Sequence, residues 1–302
     1  MTEQPQATPE LSLAACLLLA GSLRPSPLTA ATRCSVLDLH LDGRETVLDA
    51  WIRHFEAIAA SVGQNPLVQV IHGIAIPPGR SQTRPSRLEL RLQQDAHEYR
   101  GPAGAVRDAC QAYGEDSTVV IAEAARYVTG DLTRMMADHV RHASDITVGI
   151  NRDSTPAGLF VVRCSTLSLI QAKGFTDLKE QWLRKAVEAG KRVRVSRLEN
   201  GYSYELRTRE GFLRAAGVAG GLVSLAACAG DVATVPTEGP RHLSADVTIG
   251  DRAVVVDSVV MPGAVVGEDA VVARSIVCGG ARVAAGGTVI DGVVPAGREN
   301  EG

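Results

Sequence analysis

His139 and His142 stand three apart in a stretch whose apolar residues, Leu132, Met135, Met136 and Val140, recur at helical spacing, so one helix brings them close enough to share a metal ion. No third ligand accompanies them, and the pair reads as part of a polar helix face. Ser22, Ser35 and Ser165 lack the Gly-x-Ser-x-Gly setting of an exposed nucleophile. Six cysteines (Cys16, Cys34, Cys110, Cys164, Cys228 and Cys278) lie far apart with no C-x-x-C pair, the pattern of free thiols in a reducing compartment. What remains for chemistry is charge beside small-residue loops. Gly101-Pro102-Ala103-Gly104-Ala105-Val106 follows a strand-like run and opens a helical one, and such small residues let a backbone approach a ligand or simply pack a helix. Arg24 follows an apolar run and either reaches an anion or is solvated. The only lysines are Lys173, Lys179, Lys185 and Lys191, so cationic chemistry in the first half of the chain rests on arginine.

The elements that must position these groups are legible as a pattern. The 302 residues, 45% hydrophobic and 22% charged, are enough for one large or two ordinary globular domains. A net charge of −3 with 4% aromatics supplies neither a phosphate-tracking surface nor base-stacking platforms, which argues against nucleic acid as a partner. The run Leu11 to Ala20 is preceded by Glu3 and Glu10 and by no Lys or Arg. It reads as a buried first strand, being too acidic in its flank for a secretory signal and too short to cross a bilayer. Strand-like runs at 13–19, 68–71, 88–92, 118–121, 146–150, 159–162 and 193–195 alternate with helical stripes. Those stripes are Val47, Leu48, Trp51, Phe55 and Ile58, then Leu132 to Val140, then Leu178, Trp182, Leu183 and Val187. The alternation predicts an α/β domain with a mixed, mostly parallel sheet over 11–230, after a flexible N-terminus at 1–10. Asp231 to Pro240 holds two prolines and a glycine and reads as a linker.

From residue 249 the chain repeats every 17 residues: Gly250 falls over Gly267, Ala253 over Ala270, Val254 over Val271, Ser258 over Ser275 and Gly263 over Gly280. Each row is one unit that buries its valines only against the next. The pattern over 241–296 resembles the hexapeptide-repeat left-handed β-helix, with 297–302 a tail. An oligomerisation and packing role is expected of so few apolar rungs. Hexapeptide acyltransferases need a histidine on the coil; His242, the one histidine in this region, precedes the first clear row, which makes acyl transfer a minor alternative.

An α/β domain followed by such a coil resembles the nucleotide-sugar pyrophosphorylases, which join a sugar 1-phosphate to an NTP. Leu18-Leu19-Ala20-Gly21 is similar to the end of that family's first strand and the opening of its phosphate loop. Gly101 to Val106 is similar to its G-T-A-G-A segment, Phe175-Thr176-Asp177-Leu178-Lys179-Glu180 to its D-L-K-E helix start, and Tyr202 to Thr208 to its Y-x-x-D-I-G-T segment. The resemblance spans nearly the whole chain and implies a Rossmann-like nucleotidyltransferase fold. It implies nucleotide contacts at Ala20, Gly21, Ser22, Gly101, Pro102, Ala103 and Gly104, catalytic charges at Arg24 and Lys179, and Mg²⁺ at Glu205 and Glu123.

The chain departs from that pattern at one site. Its phosphate loop, Gly21-Ser22-Leu23-Arg24-Pro25, holds one glycine where three are expected, so fewer amides can wrap a phosphate. Ser35 stands where the resemblance places a lysine. Glu123 is one residue off the place of the first magnesium carboxylate and is either a displaced ligand or a solvated strand end; Asp131 imitates that motif only in letters, at a helix start. The sugar-binding excursion with its lysine is deleted between Asn151 and Gly158. Lys179 either compensates or pairs with Glu180 on the surface. One carboxylate still holds Mg²⁺ when phosphates supply the other oxygens, so the metal is weakened rather than excluded. The expectation is a cytoplasmic, catalytically degenerate member with a regulatory or structural role, a homo-oligomer or the partner of an active paralogue, able to take an NTP or nucleotide sugar and binding no membrane. The alternative is an active nucleotidyltransferase with an altered site and a smaller acceptor.

Overall fold

The structure, a computed structural model, describes residues 11–21, 25–74, 76–79, 86–95, 97–226, 246–297 and 299–300. Residues 1–10, Ser22, Arg24, the expected linker at 231–240, Cys228 and His242 lie outside the described residues.

The α/β part runs β1 (Leu13–Leu19), α1 (Pro27–Thr32), α2 (Val47–Val62), β2 (Leu67–His72), β3 (Leu90–Gln94), α3 (Gly101–Ala109), β4 (Thr118–Glu123), β5 (Arg126–Val128), α4 (Thr133–Arg141), β6 (Ile146–Ile150) and β7 (Pro156–Arg163). A π-helical turn Leu178–Trp182 then leads into α5 (Leu183–Glu188), followed by β8 (Val193–Arg197), β9 (Ser203–Glu205), α6 (Arg209–Ala219) and β10 (Val223–Ala226). Seven strands form one sheet in the order β3-β2-β1-β4-β7-β6-β8, parallel except that β7 runs antiparallel to β4 and β6. The predicted mixed, mostly parallel sheet is the observed one.

β1 reads as an unbroken apolar run because helices cover both faces. Cys16 and Leu18 pack with Trp51 and Phe55 of α2, whereas Ala15 and Leu17 pack with Val106 of α3 and with Trp182. α2 begins at a capping box in which Thr46 Oγ1 accepts from the Asp49 amide at 3.1 Å and the Asp49 carboxylate accepts from the Thr46 amide at 2.9 Å. Its Trp51 indole donates to the Ala124 carbonyl at 3.3 Å, which fixes the chain just past β4. β3 lies two residues later than expected, and the sequence pattern missed the β5–β9 ribbon, α1 and α6.

The C-terminal part contains β11 (Thr248–Ile249), β12 (Val254–Val260), β13 (Val265–Val266), β14 (Val271–Ala273), β15 (Ile276–Val277), β16 (Arg282–Val283), β17 (Thr288–Ile290), β18 (Val293–Val294) and β19 (Glu299–Asn300). They pair in parallel at an offset of 17 residues: Val254 on Val271 on Thr288, Val259 on Ile276 on Val293, and Val265 on Arg282 on Glu299. Three faces of a parallel β-helix result. Its interior is columns of like residues, Val255 over Val272 over Val289 and Val260 over Val277 over Val294. Gly250 and Gly267 recur because a Cβ there would sit 2.5 Å from a backbone nitrogen of the next rung. Ser258 and Ser275 recur as a buried ladder in which each hydroxyl accepts the amide 17 residues on, both at 3.0 Å.

This coil is attached to the α/β part by more than the chain. β10 pairs antiparallel with β12, and Val259, Met261, Ile276 and Cys278 face outward from the coil into the same core as Leu28, Val36 and Leu39. Arg209 of α6 pairs with Asp291 at 3.3 Å across the junction.

Candidate functional site

β1 sits between β2 and β4, so the chain reverses its direction across the sheet there, and the carboxyl ends of these strands frame a crevice of about 430 Å³. Leu19, Ala20 and Gly21 leave β1, Ile71 and Gly73 leave β2, and Glu123, Ala124 and Ala125 leave β4. Gly101 and Pro102 at the start of α3, and the Phe175 to Lys179 segment, complete the wall. A larger, more open depression of about 580 Å³ lies between α1, the start of α6 and the coil, away from the strand ends.

Of the residues singled out from sequence, Ala20, Gly21, Gly101, Pro102, Glu123 and Lys179 meet in this crevice. Ala103 and Gly104 do not line it: Ala103 is fully buried and donates its amide to the Thr176 carbonyl at 3.2 Å, and a Cβ on Gly104 would strike Arg100. Gly101 has φ +73°, and a Cβ there would lie 2.8 Å from both the Phe175 ring and the Thr176 carbonyl. The glycine therefore lets residues 175–177 cross over the helix start, leaving the Phe175 ring more than half exposed at the crevice wall.

The charged groups interlock in a way that spacing did not reveal. Lys179 Nζ lies 2.6 Å from Glu123 Oε1, and Arg126 Nε donates to Glu123 Oε2 at 3.2 Å. Glu123 is neither a solvated strand end nor the partner of a solvated lysine, for its side chain is 18% exposed and Lys179 turns to it rather than to Glu180. Burial alone would raise the Glu123 carboxyl, but the Lys179 ammonium and the Arg126 guanidinium outweigh it and hold the group below the usual carboxylate range. Asp177 caps the following turn by accepting from the Lys179 and Glu180 amides at 2.7 and 2.9 Å, which fixes the backbone from which Lys179 reaches Glu123. Gly158, with φ +71°, gives the Glu123–Arg126 pair its room, since a Cβ there would lie 2.8 Å from Glu123 Oε2.

Glu205 stands on β9, half exposed, with Arg207 Nε 3.2 Å from its Oε1. Arg207 lines the crevice and Glu205 does not. A magnesium ion needs carboxylate oxygens open to it, yet both oxygens of Glu123 carry N–H donors and Glu205 is engaged by its own arginine. Among the described residues no group of three or more His, Cys, Asp and Glu side chains is placed to hold a metal ion. These residues do not fit Mg²⁺ held between Glu123 and Glu205.

Ser35, in the place of the expected lysine, is buried and caps a 3-10 turn by accepting the Leu37 amide at 3.3 Å. His139 and His142 do not form the polar face read from their spacing. His139 is buried with Nδ1 2.9 Å from Thr147 Oγ1, whereas His142 is exposed. Asp131 accepts the Thr133 amide and hydroxyl at the start of α4, the helix-start role its position indicated. Sequence reasoning missed Arg126, Arg207, Gly158 and the capping role of Asp177; only Arg126, three residues after Glu123, left a local signal.

No protein-family model and no curated relative matches the chain. Solved structures do. One assigned as a glucose-1-phosphate thymidylyltransferase from Bacillus anthracis superposes with TM-score 0.51 at 12% identity, covering 69% of this chain and 95% of that one. The UDP-glucose pyrophosphorylase from Acinetobacter baumannii gives TM-score 0.54 at 11% identity, covering 69% and 93%. The chain shares the fold of these sugar-phosphate nucleotidyltransferases. Among the described residues no helix is long and apolar enough to cross a membrane.

Proposed function

We propose that this chain is a nucleotide-sugar pyrophosphorylase-like protein that binds a nucleotide or nucleotide sugar in the crevice without transferring a nucleotidyl group, and that its role is regulatory or structural. The observation that carries the reading is the Glu123–Lys179–Arg126 cluster at the end of β4. Nucleotidyl transfer depends on neutralising phosphate charge around the attacked phosphorus, and the carboxylate best placed to anchor a metal is spent on two side-chain cations. Ser35 as a buried cap, where the resemblance places a lysine, supports the same reading. On it the α/β domain spans 11–230 and the coil 241–296, and the active unit is an assembly with a second copy or with an active paralogue.

Purified chain incubated with each common NTP, a panel of sugar 1-phosphates and Mg²⁺ tests this by pyrophosphate release and by thermal melts with nucleotide sugars. The expected result is no release above buffer together with a raised melting temperature; ligand at about a hundredfold over its Kd adds roughly 2.7 kcal/mol. Pyrophosphate release that Glu205→Ala cuts by far more than about tenfold would instead establish the active reading.

A further inference from the structure

The cluster at the end of β4 is built from four separate places in the chain. Glu123 ends β4 and Arg126 opens β5, Gly158 on β7 clears the space they need, and Asp177 fixes the turn that carries Lys179. Exposed ion pairs contribute little to a fold, but Arg126 and Glu123 are only 12% and 18% exposed, and removing one member of such a set strands a buried charge. Lys179, 37% exposed, is the cation of the set that lines the crevice, beside Glu123, whereas Arg126 does not line it. An ammonium carries three N–H donors, and Glu123 engages one. The cluster as a whole, one anion and two cations, carries a net positive charge at the place where the carboxylate would otherwise have attracted a metal.

We infer that Lys179 is the resident cation of the crevice, standing where a divalent ion would stand, so that the crevice takes a phosphate-bearing ligand without metal. The inference rests on the nucleotide-site reading above and adds a ligand class to it. Lys179 and Arg207 are the lysine and arginine among the described lining residues, alongside the carboxylates of Glu123, Asp95 and Asp177. A fully ionised triphosphate presented to that wall without Mg²⁺ meets more repulsion than two cations offset. The bridging diphosphate of a nucleotide sugar carries two negative charges, fewer than a triphosphate, so it meets less repulsion from the three carboxylates, and the Lys179 ammonium, with N–H donors beyond the one Glu123 engages, donates to its oxygens as a point charge. The ligand is therefore a nucleoside diphosphate sugar rather than an NTP.

Thermal melts and calorimetric titrations of the whole chain with uridine, thymidine, guanosine and adenosine diphosphate sugars, and with the matching NTPs, in excess EDTA and in Mg²⁺, supply the first test. One diphosphate sugar should raise the melting temperature equally in both buffers and more than its NTP does in EDTA. Lys179→Met should lose that rise, and Lys179→Arg, which keeps the charge, should retain part of it. A rise that requires Mg²⁺ overturns the inference. Mn²⁺ titration followed by electron paramagnetic resonance, with no nucleotide present, supplies the second. Wild-type protein should show no saturable Mn²⁺ site that Glu123→Gln removes, and finding one overturns the inference. A Mn²⁺ site that survives Glu123→Gln lies elsewhere and leaves the crevice metal-free as inferred. Should no nucleotide or sugar move the melt in either buffer while Mn²⁺ stays unbound, the nucleotide-site reading fails and Lys179 stands as the cation of Glu123.

Discussion

His139 shows what a single residue contributes when its neighbours are known. Burial first, and the charge of Arg163 second, lower its pKa to about 4, while Asp145 acts in the opposite direction. The folded state thus holds the imidazole neutral between pH 6.5 and 4, where the unfolded chain takes up a proton, so stability is lost as pH falls through that window and is constant above it. His139→Gln removes the titration and can keep a hydrogen bond to Thr147. Urea melts should find wild type losing about 2 kcal/mol between pH 7 and 5 that the variant does not lose, at 1.36 kcal/mol per pKa unit; parallel pH profiles would refute the assignment. Glu123 does not confuse the comparison. Its depressed pKa gives stability that is present above the ordinary carboxylate range and lost only as pH falls below it. Neither environment was legible in the sequence. Lys179 has an acidic chain neighbour in Glu180, and its partner lies 56 positions earlier, so only the fold could say which carboxylate it meets.

At the scale of elements, the strand-to-helix junction at Gly101 was legible as a small-residue segment, but its reason was not. Gly101 and Gly104 are small because Phe175, Thr176 and Arg100 press on them, and only Gly101 also borders the crevice. Gly101→Ala combines an unfavourable φ of +73° with a Cβ 2.8 Å from the Thr176 carbonyl. It should cost on the order of 1–3 kcal/mol. Because residues 175–177 must shift to admit the methyl group, Asp177 and with it Lys179 should move, so ligand affinity should fall as well as stability. Arg107→Ala, further along the same helix and outside the crevice lining, lacks that clash and should leave binding nearly unchanged. Melting temperature and calorimetric Kd of the two variants check this, and a Gly101→Ala protein that binds as wild type would remove the Phe175 crossing from the site. The π-helical turn at Leu178–Trp182 was likewise read as an ordinary helix start, since the apolar spacing of Leu178, Trp182 and Leu183 suits either winding.

For the whole molecule, the 17-residue repeat was the most legible feature, because every column of the coil interior demands the same residue size at each rung. The docking of the coil was not legible. Val259 and Ile276 follow the same repeat as their inward neighbours Val260 and Val277, and nothing in the spacing says that one column faces the coil interior and the other the α/β core. With that shared core the two parts are expected to unfold as one cooperative unit. Trp51 and Trp182, the only tryptophans, are buried in the α/β part, so fluorescence reports on it alone, whereas far-ultraviolet circular dichroism reports on both parts. The two signals should give coincident urea transitions in wild type. Ile276→Ala, which empties a fully buried site at the junction, should cost about 2–5 kcal/mol and shift both transitions together. Val272→Ala, inside the coil and remote from the tryptophans, should also shift both, because a coil that unfolds uncovers Leu28, Val36 and Leu39. A tryptophan transition that stays in place while the dichroism transition moves or splits would mean that the coil unfolds alone and that the common core does not bind the parts together.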